Sequence, residues 1–523
     1  MSRARRFFGG LTLGYSYQAL VMLIGLWLTP FLLKHLGSRD YGLWLIGLQI
    51  LSYLMLMDFG VIALLPRETA YATGRAMSGS SGDDLSDTIG TTARIVLYQT
   101  PIVLLGVLIF WLVMPAAWRE FSGPLLVAML GFAVMFPLRI FQAVLQGLQE
   151  MPYLGRLQFV NWGVTTSLMI VFVLRGFGLY ALAISWVAGQ LIPAALSFYR
   201  LRTCFPGVLP TRLPSLPGKK LFRSLTSGGW VSASQIAQVL VSGTDYVIIG
   251  KLLGPAAVVP YACTQKLIAV LANQPYMIME MAAPGLSQMK TSESRERIFQ
   301  ACAALTLGML TVAGLIACVA LAVNHSFVNR WLGEHQFGGA LLTTVLVGAM
   351  LLRHWNTTLV YALFALGHQR RISITTLLDG MVTLSAGAAL VWWLGPIGMA
   401  LGMVVGVGSV SLPGNLSGIA RELGVSTFGM IASIWSWVWR FAIVASAAAI
   451  VGLWWRANVL YIAGIACATG AVYCAIMLPM IMDSPLRKYL PARVTDAWDA
   501  VWHRLTLGHS VAAVQELEVP KNS

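Results

Sequence analysis

Between Ala340 and Gly367 the sequence reads ALLTTVLVGAMLLRHWNTTLVYALFALG, an apolar segment long enough to cross a bilayer with Arg353, His354, Trp355 and Asn356 near its middle. A charge at the centre of a spanning helix costs at least ~2.5–3.5 kcal/mol on insertion scales, so it faces a partner, a water-filled cavity or a bound anion rather than lipid. Lys266, Asn273 and Glu280 follow at seven-residue steps in another apolar segment and would share one helix face. Lys266 and Glu280 would stand about 21 Å apart along the axis, too far to neutralise each other. Gln235, Gln238, Ser242 and Asp245 recur at helical spacing in the segment before it, and Arg139, Gln142 and Gln146 in an earlier one. Two chemistries fit. The charges could pair across helices, for instance Arg353 with Asp245 or Glu280, and lock a bundle. Taken together, Arg139, Lys266 and Arg353 read better as a cationic cavity that receives an anion, because a stable bundle can be made from apolar and small residues alone. For Asp58 and Asp379 an ion or proton relay, a salt bridge and a helix-end contact stay open.

The elements that must position these residues are membrane helices. Of 523 residues, 57% are hydrophobic and 11% charged, against ~25% charged in a soluble domain, and the mean hydropathy is +0.74. Runs of about 20 apolar residues recur without a long polar region between them, which excludes a separate soluble domain and the alternating ~10-residue pattern of a β-barrel. The formal net charge of +15 lies in short loops beside the apolar segments, where it sets topology. Nucleic acid is therefore not expected as a partner. The six cysteines form no C-x-x-C pair and have no histidines at metal spacing, so neither disulfides nor a metal site is expected. MSRARRFF runs directly into the first apolar segment without a small-residue cleavage site, the mark of an uncleaved first span.

The fold class that follows is all-α and polytopic, with about fourteen transmembrane helices: two parallel pseudo-symmetric six-helix halves and two C-terminal helices. The expected spans fall near 9–33, 42–66, 93–116, 124–147, 157–175, 179–199, 225–250, 256–282, 299–323, 340–367, 372–394, 398–420, 436–455 and 457–482. Residues 1–200 form the first lobe, 201–224 a basic cytoplasmic linker, 225–420 the second lobe, 421–482 the two additional helices and 483–523 a cytoplasmic amphipathic tail. Most of the 35 lysines and arginines fall on the side of the two termini, which places both termini in the cytoplasm. Lys34-His35-Leu36-Gly37 aligns with Lys251-Leu252-Leu253-Gly254 at an offset of 217. At 220, Gly147 meets Gly367, Gln149 meets Gln369, and Arg175-Gly176-Phe177-Gly178 meets Gly395-Pro396-Ile397-Gly398. Such a repeat puts a pseudo-twofold axis along the membrane normal. The longest external loop is expected at Asn324 to Gly339.

Catalytic signatures are missing: the sequence has no G-x-x-x-x-G-K-[ST], no H-E-x-x-H and no G-x-S-x-G. No catalytic residue and no cofactor is assigned, and the chain does not read as an enzyme. The segment TPFLLKHLGSRDYGLWLIGLQILSYLMLMDFGV, Thr29 to Val61, resembles the first two spans of the Wzx-type oligosaccharide flippases, which share a superfamily with the lipid II flippases and the multidrug and toxin extruders. L-G-x-x-x-Y-G-L followed by D-F-G carries the resemblance.

What the resemblance implies is a flippase that moves a polyprenyl-pyrophosphate-linked oligosaccharide from the cytoplasmic to the periplasmic leaflet of a bacterial inner membrane by alternating access, driven by an ion gradient or the membrane potential. Arg139, Lys266 and Arg353 would then line the cationic cavity with Gln235, Asn273 and Asn356, and Glu280, Asp245 or Asp58 would couple the ion. Its partners would be the lipid-linked substrate, membrane lipids, a glycan polymerase and the chain-length machinery. An ion-coupled exporter of drugs or metabolites, and a membrane polymerase or ligase of glycan assembly, are the alternatives.

Overall fold

The computed structural model describes residues 3–77, 83–210, 213–214, 218, 229, 232–233, 235–241, 243–273, 275–276, 279, 282, 286, 289, 293–453, 458–484, 487 and 495–496. Glu280, nearly half of the basic linker and nearly all of the amphipathic tail lie outside them. Among the described residues the chain is helical, without a strand: α1 Arg3–Met55, α2 Val61–Met77, α3 Asp83–Val113, α4 Ser122–Met135, α5 Arg139–Gly147, α6 Met151–Leu174, α7 Leu179–Cys204, α8 Asp245–Leu252, α9 Val258–Ala272, α10 Arg295–Leu332, α11 Ala340–Ala365, α12 Gln369–Leu394, α13 Pro396–Gly406, α14 Leu412–Leu423, α15 Thr427–Leu453 and α16 Val459–Met482.

Ten of these stretches are long and apolar enough to cross a membrane, or eleven if the pair bent by 48° across residues 136–138 is one span. The count of fourteen is not reached among the described residues, for physical reasons that differ from place to place. The first two expected spans run on as α1 and are separated only by Gly37, at φ 80° and ψ 167°. α11 is long enough, about 39 Å at 1.5 Å per residue, but Arg353, His354 and Asn356 lower its hydropathy and it is not among the ten.

The chain divides into two compact units. The first comprises Met1–Val270, Phe327–Ala349 and Arg370–Ser411. In it α6 packs on α7 and α1, α7 on α4, and α2 on α3 and α5, while α1 also meets α8 and the 3-10 turn Pro255–Ala257. That last contact is close because Gly42 has no side chain: a Cβ there would stand 2.0 Å from the Pro255 carbonyl oxygen. The expected external loop at Asn324 to Gly339 is largely helix, since α10 continues to Leu332. Its end is tied down in this unit: Trp331 Nε1 donates to the Leu26 carbonyl at 2.5 Å, Gln336 to Ser38, and the Gly338 amide to Thr264.

The second unit comprises Leu271–Ser326, Met350–Gln369 and Leu412–Ser523. Here α15 and α16 pack together, and a relay fixes both to α10: Trp437 Nε1 donates to the Tyr473 hydroxyl at 3.1 Å, which donates to the Thr311 carbonyl at 2.9 Å. Gly314 leaves room for it, since a Cβ there would meet the Tyr473 hydroxyl at 2.4 Å.

The internal repeat is written in the backbone. Gly37 (φ 80°, ψ 167°) and Gly254 (φ 95°, ψ 157°) share a conformation costly to any residue with a side chain, and they lie 217 apart. Gly178 (φ 54°, ψ −134°) and Gly395 (φ 62°, ψ −149°) repeat at the same interval, each capping the helix that follows, and Gly207 and Gly424 both have positive φ. The turns after α5 and α11 share three hydrogen bonds at an interval of 218, Leu148 to Val144, Gln149 to Gln146 and Glu150 to Leu145 against Leu366 to Ala362, Gly367 to Phe364 and His368 to Leu363. The alignments at 220 are therefore corrected: Gly178 is the counterpart of Gly395, and Gln149, not Gly147, that of Gly367.

Gly42→Ala should lower stability by about 1–3 kcal/mol, because the main chain at Pro255 cannot move aside as a side chain would. Thermal unfolding in detergent checks this, and an unchanged midpoint would refute the close approach.

Candidate functional site

The polar positions fall into clusters, several of which close a helix end or break. Asp58 sits in the 3-10 turn Leu56–Asp58 that ends α1, before Phe59 in the left-handed region and Gly60. Its carboxyl is 1% exposed, with Oδ1 accepting the Gly60 amide at 2.9 Å and Oδ2 lying 3.9 Å from Arg139 Nη2. Gln99 on α3 donates to the Asp58 carbonyl at 3.1 Å. Of the three readings open for Asp58, the structure holds two at once, a salt bridge and a helix-end contact. Arg139 is the first residue of α5, after the break that Pro137 imposes by lacking an N–H. Its side chain is 31% exposed, while Nη1 is buried and meets no hydrogen-bonding group among the described residues.

Asp245 opens α8 in the same unit and is buried. Its Oδ1 accepts from Gln49 Nε2 and from the Tyr246 amide, and Gln49 Oε1 accepts the Val247 amide at 3.1 Å. One glutamine thus satisfies both the carboxyl and a free amide of the first helical turn. The expected polar stripe Gln235, Gln238, Ser242 and Asp245 is not one helix face, because Gly243 and Thr244 form a bend and α8 starts afresh at Asp245. Gln235 is half-buried, and its Oε1 meets no hydrogen-bonding group among the described residues.

The stripe Lys266, Asn273 and Glu280 is corrected in the same way. α9 ends at Ala272 and Asn273 is exposed in the turn beyond it. Pro275 explains the stop: it has no N–H for the Leu271 carbonyl and disfavours the helical region for the residue before it. Lys266 stays on α9, half-buried. By the 217-residue register Lys266 is the counterpart of Gln49, and the counterpart of Asp245 is Leu28, so the repeat does not give Lys266 the acidic partner that Gln49 has.

In the second unit, Arg353 is half-buried on α11 and Asn356 accepts from Asn415 Nδ2 at 2.8 Å, with Asn415 wholly buried on α14. Thr306 on α10 meets Thr358 at 3.1 Å, and His368 meets Glu422 at 3.0 Å. His354 is 1% exposed, with its ring nitrogens 2.7 Å from the Met350 carbonyl and 2.9 Å from the Ala272 carbonyl. Asp379, on α12 in the first unit, is buried and accepts from Thr383 at 3.0 Å. Gln49, Gln99 and Asn415 escape a sequence reading that looks for charges; their only signal is a lone amide in an apolar run.

Three comparisons bear on this arrangement. Residues 107–335 match a family described as polysaccharide biosynthesis protein. A relative from Bacillus subtilis, the uncharacterized membrane protein EpsK, is 22% identical over 402 residues, 75% of this chain and 78% of that protein. Among solved structures, the lipid II flippase MurJ in an inward closed conformation superposes with a TM-score of 0.55 at 10% identity, covering 86% of this chain and 99% of that one. A mutant form of the Vibrio cholerae MATE transporter VcmN gives 0.53 at 13% identity, covering 80% and 98%, and another MATE transporter of the MOP superfamily gives 0.50. The fold is the one that MurJ and these MATE transporters share. The likeness covers most of the chain, at identities that speak for the fold alone.

If Asp58 and Arg139 are paired, Asp58→Asn and Arg139→Gln together should destabilise less than the sum of the two single changes. The coupling expected at 3.9 Å with Arg139 partly exposed is about 1 kcal/mol or less. Unfolding midpoints of the four proteins give it, and strict additivity would show that the two groups act independently.

Proposed function

We propose that the chain is a flippase-type transporter that carries a polyprenyl-pyrophosphate-linked oligosaccharide across a bacterial inner membrane, from the cytoplasmic to the periplasmic leaflet, by alternating access. The observation that carries the reading is the set of cations held within an otherwise apolar helical chain of MOP fold: Arg139, Lys266 and Arg353. An isoprenoid tail can remain in lipid, but a pyrophosphate leaving water needs cations and donors to replace its hydration. Arg139 offers a buried Nη1 without a protein acceptor among the described residues, and Lys266 occupies a repeat position whose expected acidic partner is a leucine. Gln235, Asn273 and Asn356 would bind the sugar or the phosphate oxygens. Glu280, Asp245 and Asp58 are the groups proposed for ion coupling, with the gradient or the membrane potential as the driving force.

MATE transporters share the fold, so export of a soluble molecule is the competing reading. The match of residues 107–335 to a polysaccharide biosynthesis family favours the lipid-linked glycan. Residues of the two lobes would alternate about the cations, both termini would be cytoplasmic, and a glycan polymerase with its chain-length machinery would receive the product. The chain would act as a transporter and not as an enzyme.

Reconstitution in proteoliposomes with a defined polyprenyl-pyrophosphate glycan tests this. Lys266→Ala and Arg353→Ala should each lower the flipping rate about tenfold or more, the loss expected when a charge-assisted bond of about 1.5–3 kcal/mol is removed. Arg353→Glu should be slower still. Wild-type flipping in the two alanine variants would remove the cationic argument, and export of free cations without glycan flipping would favour the competing reading.

A further inference from the structure

His354 has an arrangement that only one protonation state satisfies. A neutral imidazole has one donor nitrogen and one acceptor nitrogen, whereas a carbonyl oxygen only accepts. Nδ1 lies 2.7 Å from the Met350 carbonyl oxygen and Nε2 lies 2.9 Å from that of Ala272. In either neutral tautomer one ring lone pair would be held against a carbonyl lone pair. The imidazolium donates to both.

The second carbonyl is one that needs a donor. Ala272 is the last residue of α9, where main-chain oxygens have no partner within the helix and carry the negative end of its dipole, a place that favours a cation. The Met350 carbonyl has a second lone pair beyond the one its own helix uses. Both carbonyls lie in the second unit, in its segments Leu271–Ser326 and Met350–Gln369. The ring of Tyr276, four residues past Ala272, stacks on the imidazole at 4.8 Å and shields it.

Burial and the neighbouring Arg353 oppose a charge on the ring, and the two carbonyl contacts favour it. Tyr276 lies against the ring, and Arg353 precedes His354 on α11. α10 meets α11 through Thr306 and Thr358; α14 meets it through Asn415 and Asn356 and, farther along, through the Glu422 and His368 pair. Glu280 lies outside the described residues.

We propose that His354 is a proton-carrying latch, which as an imidazolium holds α11 to the end of α9 and on losing one N–H proton to water gives up one of its two carbonyls. It deepens the transporter reading, on which it rests only for what the latch serves: uptake and release of this proton would couple the cycle to a proton gradient.

The full-length protein reconstituted in lipid, with its seven histidines labelled with 15N in the ring, tests the latch directly, His354→Gln identifying the signal by its loss. Both ring nitrogens of His354 should be protonated at pH 7 and one should deprotonate as pH rises; a neutral ring at pH 7 overturns the proposal. Hydrogen exchange of residues 268–276 and 350–358, corrected for the intrinsic effect of pH, should quicken roughly tenfold on that deprotonation in the wild type and show no such step in His354→Gln. The same step in both proteins overturns it too. Neither measurement needs transport, so the two readings fail separately. Glycan flipping indifferent to a pH gradient would overturn the coupling role alone, and absence of flipping beside an intact latch would overturn the transporter reading alone.

Discussion

A helix that breaks inside a membrane leaves main-chain amides and carbonyls that lipid cannot satisfy, and several buried polar side chains of this protein stand where those breaks are. Asp58 and Gln99 take up the amide of Gly60 and the carbonyl of Asp58 at the end of α1. Gln49 takes up the Val247 amide at the start of α8, and His354 the Ala272 carbonyl at the end of α9. An unpaired polar group in an apolar medium costs roughly 2–7 kcal/mol, more than the ~0.6 kcal/mol of a typical interhelical hydrogen bond. These residues are thus conditions for having broken helices at all.

The repeat shows how one scaffold acquires two different interiors. Its turns recur at 217 or 218 residues in conformation, even where the residue differs, as at Gln149 and Gly367. The contents do not recur. The first half breaks between α4 and α5 at residues 136–138, where Pro137 stops the ladder, and uses the break to present Arg139. In that register the second half has residues 353–356 inside the unbroken α11, and sets Arg353, His354 and Asn356 on it instead. Gln49 paired with Asp245 becomes Lys266 opposite a leucine position. On the proposed reading, constraint on the turns with freedom at the polar positions suits a carrier whose substrate is not symmetric.

The class of fold was legible because hydrophobic length dominates everything else in such a sequence, and Gly37 and Gly254 were legible because L-G after a lysine is a visible signal in an apolar run. The breaks within spans were not. A segment apolar on all sides has no period to interrupt, so Lys266, Asn273 and Glu280 read as a continuous stripe even though Pro275 stands among them; the proline signal was present and was outweighed by length. The same happened at Gly243, which ends the run before Asp245. The pairing of Arg139 with Asp58 could not be read at all, because it joins residues 81 positions apart whose meeting depends on where α5 turns after Pro137.

That pairing bears on how a cationic site can serve transport rather than storage. A bare arginine in a low-dielectric site would hold a pyrophosphate strongly, and release on the far side would then limit the cycle. Arg139 is already half-compensated: one terminal nitrogen faces Asp58 at 3.9 Å, too long for a strong bond, and the other is buried without an acceptor among the described residues. On the proposed reading, a phosphate oxygen that reached the second nitrogen once the site opened would not need to displace the carboxylate, while the carboxylate would lower the net charge that the phosphate meets. Tightening the contact with Asp58 would weaken the hold on the anion, and loosening it would strengthen that hold. Because Asp58 sits in the turn that ends α1 and Arg139 at the break that starts α5, any rearrangement of those two helix ends changes the distance between them. On the proposed reading, affinity is thereby tied to conformation through a single ion pair, which is the coupling an alternating-access carrier requires.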